Sequence, residues 1–329
     1  VGSEMCIRDS YITAVFATLF LVGCGDGIDL PGVNVETDLN KIPLPDNNVN
    51  LEQVELKPST EPMLHEGLHT EEDFQRIRDK KAAGEEPWVS AYQLLVESQF
   101  SQKTADTYPT EWIKRGVSGD ENYMNAARGA TIAYQQALRW KIEQDDEYAA
   151  KAVENLNKWV QTCVGVTGNT NLSLAAGLYG YEFAIAGELL RDYGGWDRAD
   201  FAAFQNWLLK VFYPANDDFL KRHHDTNALH YWANWCLCNI AAKMAIGIVT
   251  DRRDIYNEGI AHLQTGDTNG RLRRAIYHDY APDYNFAQWQ ESGRDQGHTL
   301  MCVGLMGVIC QLAWSQGDDF FAYDDNLFL

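Results

Sequence analysis

The sequence predicts an all-α protein whose antiparallel helix pairs close into an (α/α) toroid, or an incomplete α/α barrel. Three observations point there. From Thr70 onward apolar residues recur at helical spacing, and strand-like alternation is hard to find. Clusters such as VTGNTN, YGGWDRAD, YPANDD and TGDTNG cut the pattern into segments of roughly 12–20 residues. No fixed-period repeat is visible, so about ten helices joined by short links close into a ring more readily than they stack as a regular solenoid. A ring leaves a cleft at one end, lined by loops. With 329 residues, 45% of them hydrophobic, the chain can bury a sizeable core.

The elements follow in order. Residues 1–10, VGSEMCIRDS, resemble translated sequencing adapter. Residues 11–24 form an apolar run ending Leu21-Val22-Gly23-Cys24, shorter than the ~20 residues a membrane span needs. A small residue before Cys at that point resembles a bacterial lipoprotein signal, which makes Cys24 the expected lipidation site and mature N-terminus. The expected address is extracytoplasmic, as a periplasmic or outer-membrane lipoprotein. Residues 25–64 are rich in Asp, Asn and Pro and read as a flexible tether, leaving 65–329 for the toroid domain. Thr70-Glu71-Glu72-Asp73 fits a capping box opening a helix to about Lys81, and Pro87 suits the start of the next. Val153, Leu156 and Val160 give the following segment one apolar stripe. Comparable patterns cover 121–142, 172–192, 200–212, 230–249, 251–264 and 298–316.

The formal charge of −20 argues against nucleic acid, which needs a basic footprint. An enzyme acting on an acidic polymer must then concentrate positive charge locally, and KRHH (221–224), DRR (251–253) and RLRR (271–274) are the runs available, each also readable as a solvated helix face. The seven Cys show no zinc spacing; Cys163, Cys302 and Cys310 read as small buried hydrophobes, with a disulfide open among them. His223 and His224 are adjacent and cannot share a helical face, so the surface suits them better than a metal. Neither metal nor cofactor is expected. Trp232 and Trp235 read as core, while Tyr231 or Trp289 could stack on a sugar.

One block remains. AQWQESGRDQGH (287–298) crowds Gln290, Glu291, Arg294, Asp295 and His298 directly before an apolar run. Together with HYWANWCLCNIAAKMAIGIVTDRRDIYNEG (230–259), AWSQGDDFFAYDDN (313–326) and GLHTEEDFQRIRDKKAAGEEPW (67–88), it resembles the alginate lyase superfamily of polysaccharide lyases. The resemblance implies an (α/α) toroid that cuts a uronic-acid polymer, alginate or a related polyuronate, by β-elimination. Such chemistry must remove a C5 proton made feebly acidic by its neighbouring carboxylate, so neutralising that carboxylate stabilises the transition state. By position, Asn234 would hydrogen-bond the substrate carboxylate, and His298 would neutralise it or assist as base. Glu291 would share a proton with it, and Arg294 would fix Glu291 or a sugar carboxylate through its forked donors. Asp295 could orient His298 or cap the following helix. Tyr181, Tyr231, Trp289, Gln290 and Asp295 are the expected substrate-binding residues. The family's Tyr base and acid is expected beyond Leu329, so the toroid is expected to be incomplete at its C-terminus.

Without the resemblance, 288–298 also reads as a capped helix start with Arg294 in an ion pair. Two other classes stay open. A glycoside hydrolase on the same toroid needs carboxylates on opposite sugar faces, which Glu291 and Asp295, four apart, supply poorly. A lipoprotein that binds polysaccharide without cutting it would suit the aromatic richness.

Overall fold

The computed structural model describes residues 60–280 and 286–329. The adapter-like start, the signal segment with Cys24 and nearly all of the tether lie outside the described residues. The helices are α1 Glu71–Ala82, α2 Trp88–Glu97, α3 Tyr123–Glu143, α4 Asp146–Thr162, α5 Leu172–Leu189, α6 Arg198–Val211, α7 Tyr213–Arg222, α8 Ala233–Val249, α9 Arg253–Thr265, α10 Leu272–Ala275, α11 Gln296–Ser315 and α12 Tyr323–Asn326. Four short strands accompany them: β1 Trp112–Arg115 with β2 Gly165–Gly168 in parallel, and β3 Ile276–Asp279 with β4 Ala287–Trp289 antiparallel.

Local chemistry sets the boundaries. Thr70 Oγ1 accepts from the Asp73 amide at 3.2 Å while Asp73 Oδ2 accepts from the Thr70 amide at 3.0 Å, the reciprocal pair of a capping box. Asp145 and Asp197 cap α4 and α6 through their side chains, and Gln144 closes α3 in the left-handed region.

Packing sorts the helices into two layers. α3, α5, α8 and α11 touch in succession, and α5, α8 and the C-terminal two thirds of α11 are buried almost all round. A helix apolar on every side belongs in the middle of a helical assembly. α11 is long and apolar enough to cross a membrane by composition, but its packing against α8 explains that composition as core. α4, α6, α7 and α9 return the chain outside, each burying one face; in α4 that face carries Ala149, Ala152, Val153, Leu156 and Trp159. Alternating inner and outer helices make the α/α toroid that the spacing predicts.

Residues 60–64, assigned to the tether, differ from that expectation, and with 65–69 they are bound to the ring. They form a strap beneath the ring, at the end where the inner helices finish. The Leu64 amide donates to Gln316 Oε1 at 2.8 Å, and Gln316 Nε2 donates to the carbonyls of Leu64 at 3.0 Å and Glu66 at 2.7 Å. Arg253 binds the carbonyls of Glu61 and Pro62, His65 meets Asp251 at 3.0 Å, and His69 Nε2 lies 2.6 Å from the Tyr134 hydroxyl. Among the described residues, 60–64 are thus held against the ring.

Other expectations need correction. YPANDD is no break: it opens α7 with Pro214 in the first turn, where a missing N–H costs nothing. The four strands escape periodicity because three or four residues are too few to show alternation. Trp232 is 52% exposed rather than core, since it precedes the first turn of α8. His223 is buried against Cys236, and His224 is half-buried with Nε2 3.1 Å from Ser173 Oγ. The five described cysteines are buried and unbridged. Among the described residues no cluster of His, Cys, Asp and Glu could hold a metal.

Candidate functional site

The inner helices α8 and α11 begin at the same end of the ring, opposite the strap. The turn between β4 and α11 carries the polar block to the start of α8. Gln290 anchors it three ways: its amide donates to the Ala275 carbonyl at 2.9 Å, its Nε2 to the Arg274 carbonyl at 2.8 Å, and its Oε1 accepts from the Ala233 amide at 3.0 Å. That last bond satisfies a first-turn N–H of α8, which no helical carbonyl can reach. Gln290 is therefore a strut between hairpin and helix.

Glu291 follows with φ +66°, a left-handed conformation that swings its side chain inward. Its carboxylate is buried and doubly engaged. Oε2 accepts from Asn234 Nδ2 at 2.7 Å, and Oε1 accepts from an Arg294 terminal nitrogen at 2.7 Å. Both oxygens face protein donors. Glu291 accordingly positions Asn234 and Arg294, and sharing a proton with a substrate carboxylate would require breaking one of these bonds. Asn234 is buried as well, with Oδ1 lacking a partner among the described residues. Its amide ties α8 to the turn.

Arg294 reaches outward. Its side chain is 52% exposed, so the guanidinium keeps donors toward solvent while Glu291 holds one terminal nitrogen. Asp295 caps α11: Oδ1 accepts from the His298 amide at 2.8 Å and Oδ2 lies 2.7 Å from His298 Nδ1. These bonds, the backbone one foremost, hold the Asp295 carboxyl below its usual range. A charged carboxylate only accepts, so Nδ1 carries a proton, and in the neutral imidazole Nε2 is the acceptor. Half-buried His298 is thereby oriented as a base. A continuous polar path runs from Asn234 through Glu291, Arg294 and Asp295 to His298, with Arg294 Nε 3.5 Å from Asp295 Oδ2.

The expected sugar-binding aromatics divide. Tyr231 is half-buried among Phe219, His230 and Trp235, with its ring centroid 4.7 Å from that of Trp235. Trp289 is half-buried and meets Phe328 edge-on at 6.0 Å. Tyr181 is a correction. It is buried inside α5 beside Glu182 and Tyr134, and burial drives its hydroxyl far above the phenol range, so it offers nothing to a sugar. The basic runs are also largely spent: Lys221 pairs with Asp217, Arg222 with Asp218 and Asp225, Arg252 with Asp254, and Arg273 with Asp324.

Two residues join the site that sequence reasoning passed over. Asn269 Nδ2 donates to the carbonyls of Leu229 at 3.0 Å and Tyr231 at 2.9 Å, which holds exposed His230 at the mouth beside α8. Tyr277 is half-buried on β3, the strand that enters from the Arg274–Ala275 segment bound by Gln290. The signal for the first was an Asn inside a turn-like TGDTNG; a four-residue strand hid the second.

A partly open cavity of about 250 Å³ lies elsewhere, under the strap, lined by His65, Glu66, Glu71, Glu188 and Asp192 among others. Four carboxyl groups make it a poor seat for a polyanion. The open face above α8 and α11 is the better candidate.

Residues 77–327 match the family model described as alginate lyase. Among solved structures, alginate lyase A1-III from Sphingomonas species A1 is similar, with a TM-score of 0.53 over 78% of this chain and 74% of that one. The two share 13% identity, so this likeness speaks for the toroid fold. No curated protein matches. With three quarters of its length covered by the family match, the chain belongs to the alginate lyase family.

Proposed function

We propose that the protein depolymerises a uronic-acid polymer, alginate or a close relative, by β-elimination on the face above α8 and α11. Family membership makes it a polysaccharide lyase. The observation that carries the site reading is the polar path ending in two groups of complementary use, a half-exposed guanidinium and an oriented imidazole.

Arg294 would pair with the carboxylate of the sugar being cut, withdrawing charge so that the C5 hydrogen becomes acidic. His298 Nε2 would take that proton. The C5–H electrons form a C4–C5 double bond as the C4–O bond breaks, and the departing oxygen needs a proton. Tyr277 is our candidate for that step, because it is half-buried on β3, the strand that leaves the Arg274–Ala275 segment bound by Gln290. His230 stands at the mouth to bind a sugar hydroxyl or carboxylate. Buried Asn234 and Glu291 position Arg294. Tyr231 and Trp289 would offer ring surface to sugars. The lipid anchor at Cys24 belongs to the same reading, since a polymer too large to enter the cell calls for an exported enzyme; a Cys24→Ala protein recovered in the soluble fraction would support it, and one still membrane-bound would not.

The test is incubation with polymannuronate, polyguluronate and glucuronan while following ultraviolet absorbance. Unsaturated ends support elimination. New reducing ends without absorbance mean hydrolysis, and binding without either signal means a carbohydrate-binding protein.

A further inference from the structure

Arg115 is an unusual arginine for this chain. Acids outnumber bases 47 to 27, and most arginines on the ring pair with a carboxylate. Among the described residues Arg115 makes no ion pair, and one of its terminal guanidinium nitrogens, Nη1, is buried without a hydrogen-bond partner. Its position on β1 explains why this matters. Side chains alternate along a strand, and Ile113, fully buried, shares a face with Arg115, whereas Trp112 is exposed and Lys114 reaches Asp120. An arginine therefore occupies an inward register.

Its seat is built. The guanidinium carbon lies 4.7 Å from the Tyr123 ring centre at the start of α3, and Tyr123 stacks on Tyr179 of α5 at 6.5 Å. The backbone is fixed on both sides: Gly116 has φ +79°, and a Cβ on Gly168, its neighbour across the strand pair, would come within 1.7 Å of the Arg115 carbonyl oxygen. Although burial raises the Tyr179 hydroxyl and the Cys238 thiol, Arg115 pulls both the other way, so its charge acts on α5 and on α8 one turn past Asn234. The guanidinium thus stands within the ring, near the starts of α3, α5 and α8.

We infer that Arg115, backed by the Tyr123–Tyr179 pair, binds the carboxylate of a second uronate residue, one not undergoing cleavage. The inference deepens the lyase reading and rests on it for the identity of the polymer. A planar guanidinium lying on a ring keeps its edge donors for a bidentate carboxylate, and the stack of half-buried Tyr123 on buried Tyr179 holds that guanidinium in place from behind. Arg115 then sets affinity for a charged polymer, while Arg294 and His298 set the rate of the bond-breaking step.

Initial rates on polymannuronate test this with Arg115→Gln and with Arg115→Met, the second retaining a long apolar stem over Tyr123 should the first not fold. The expected result is KM raised about tenfold with kcat within about twofold, and a difference from wild type that shrinks as salt screens the carboxylates. An unchanged KM in a folded variant, or a kcat falling as far as KM rises, overturns the assignment. If the wild-type protein forms no unsaturated product, the lyase reading fails by itself; calorimetric Kd values for the same polymer then decide the Arg115 seat, about tenfold weaker binding supporting it and equal binding overturning it.

Discussion

Where α8 and α11 finish, the chain ties itself down: Gln316 alone makes three bonds to the strap, and Arg191 bridges Glu188, Asp251 and the carbonyls of Ile248 and Val249. Where the same helices begin, the polar groups are tied on one side only. Glu291 and Asp295 each hold a partner whose other edge faces outward, Arg294 in one case and His298 in the other. Groups satisfied on every side stabilise; groups satisfied on one side are pre-aimed and await a ligand. The contrast supports the proposal that the α8–α11 start is the working end, although the cavity beneath the strap lies at the other.

The contrast can be broken by substitution. Arg294→Ala and His298→Ala are expected to lower kcat on a polyuronate by a hundredfold or more, a loss of about 3 kcal/mol in transition-state stabilisation; melting temperature stays nearly unchanged for His298→Ala and falls for Arg294→Ala, which strips buried Glu291 of its cationic donor. Asn234→Ala acts differently because the side chain is buried: Glu291 loses a donor, and stability falls by about 2–3 kcal/mol in denaturant titration alongside reduced turnover. A variant as stable as wild type would mean that Glu291 finds another donor.

Glu182 sharpens the comparison from between the two ends. Burial raises its carboxyl to about 8, from 4.5. Between those values the unfolded chain releases a proton that the folded chain keeps, so stability falls as pH rises through about 4.5 to 8 and then levels off. Glu182→Gln should remove that slope and leave the variant the more stable protein at pH 9, by thermal melts; parallel curves for the two proteins would contradict it. Gln316→Ala should produce the smallest change, about 1–2 kcal/mol of stability, with KM and kcat intact. Lost activity there would mean the strap end takes part in the chemistry.

Much of the ring was legible. Seven helices fall within a few residues of their predicted spans, because capping boxes, prolines and apolar stripes report on local structure. The polar block was legible as a dense mixture of side chains, and it does come together around Asn234. What the sequence concealed was direction. Nothing local in the sequence shows that Asn234 and Glu291 are buried and bonded to each other, and Tyr181 looks accessible until α5 proves to be buried all round. Arg115 was invisible for the same reason: in a four-residue strand nothing local distinguishes an inward arginine from an outward one.

The most direct measurement is a crystal structure of the His298→Ala protein with a saturated uronate oligomer. A sugar carboxylate within hydrogen-bonding distance of Arg294, the chain running across the starts of α8 and α11, is the predicted result. An oligomer lodged in the cavity between His65 and Asp192, with Arg294 facing only solvent, would contradict the account.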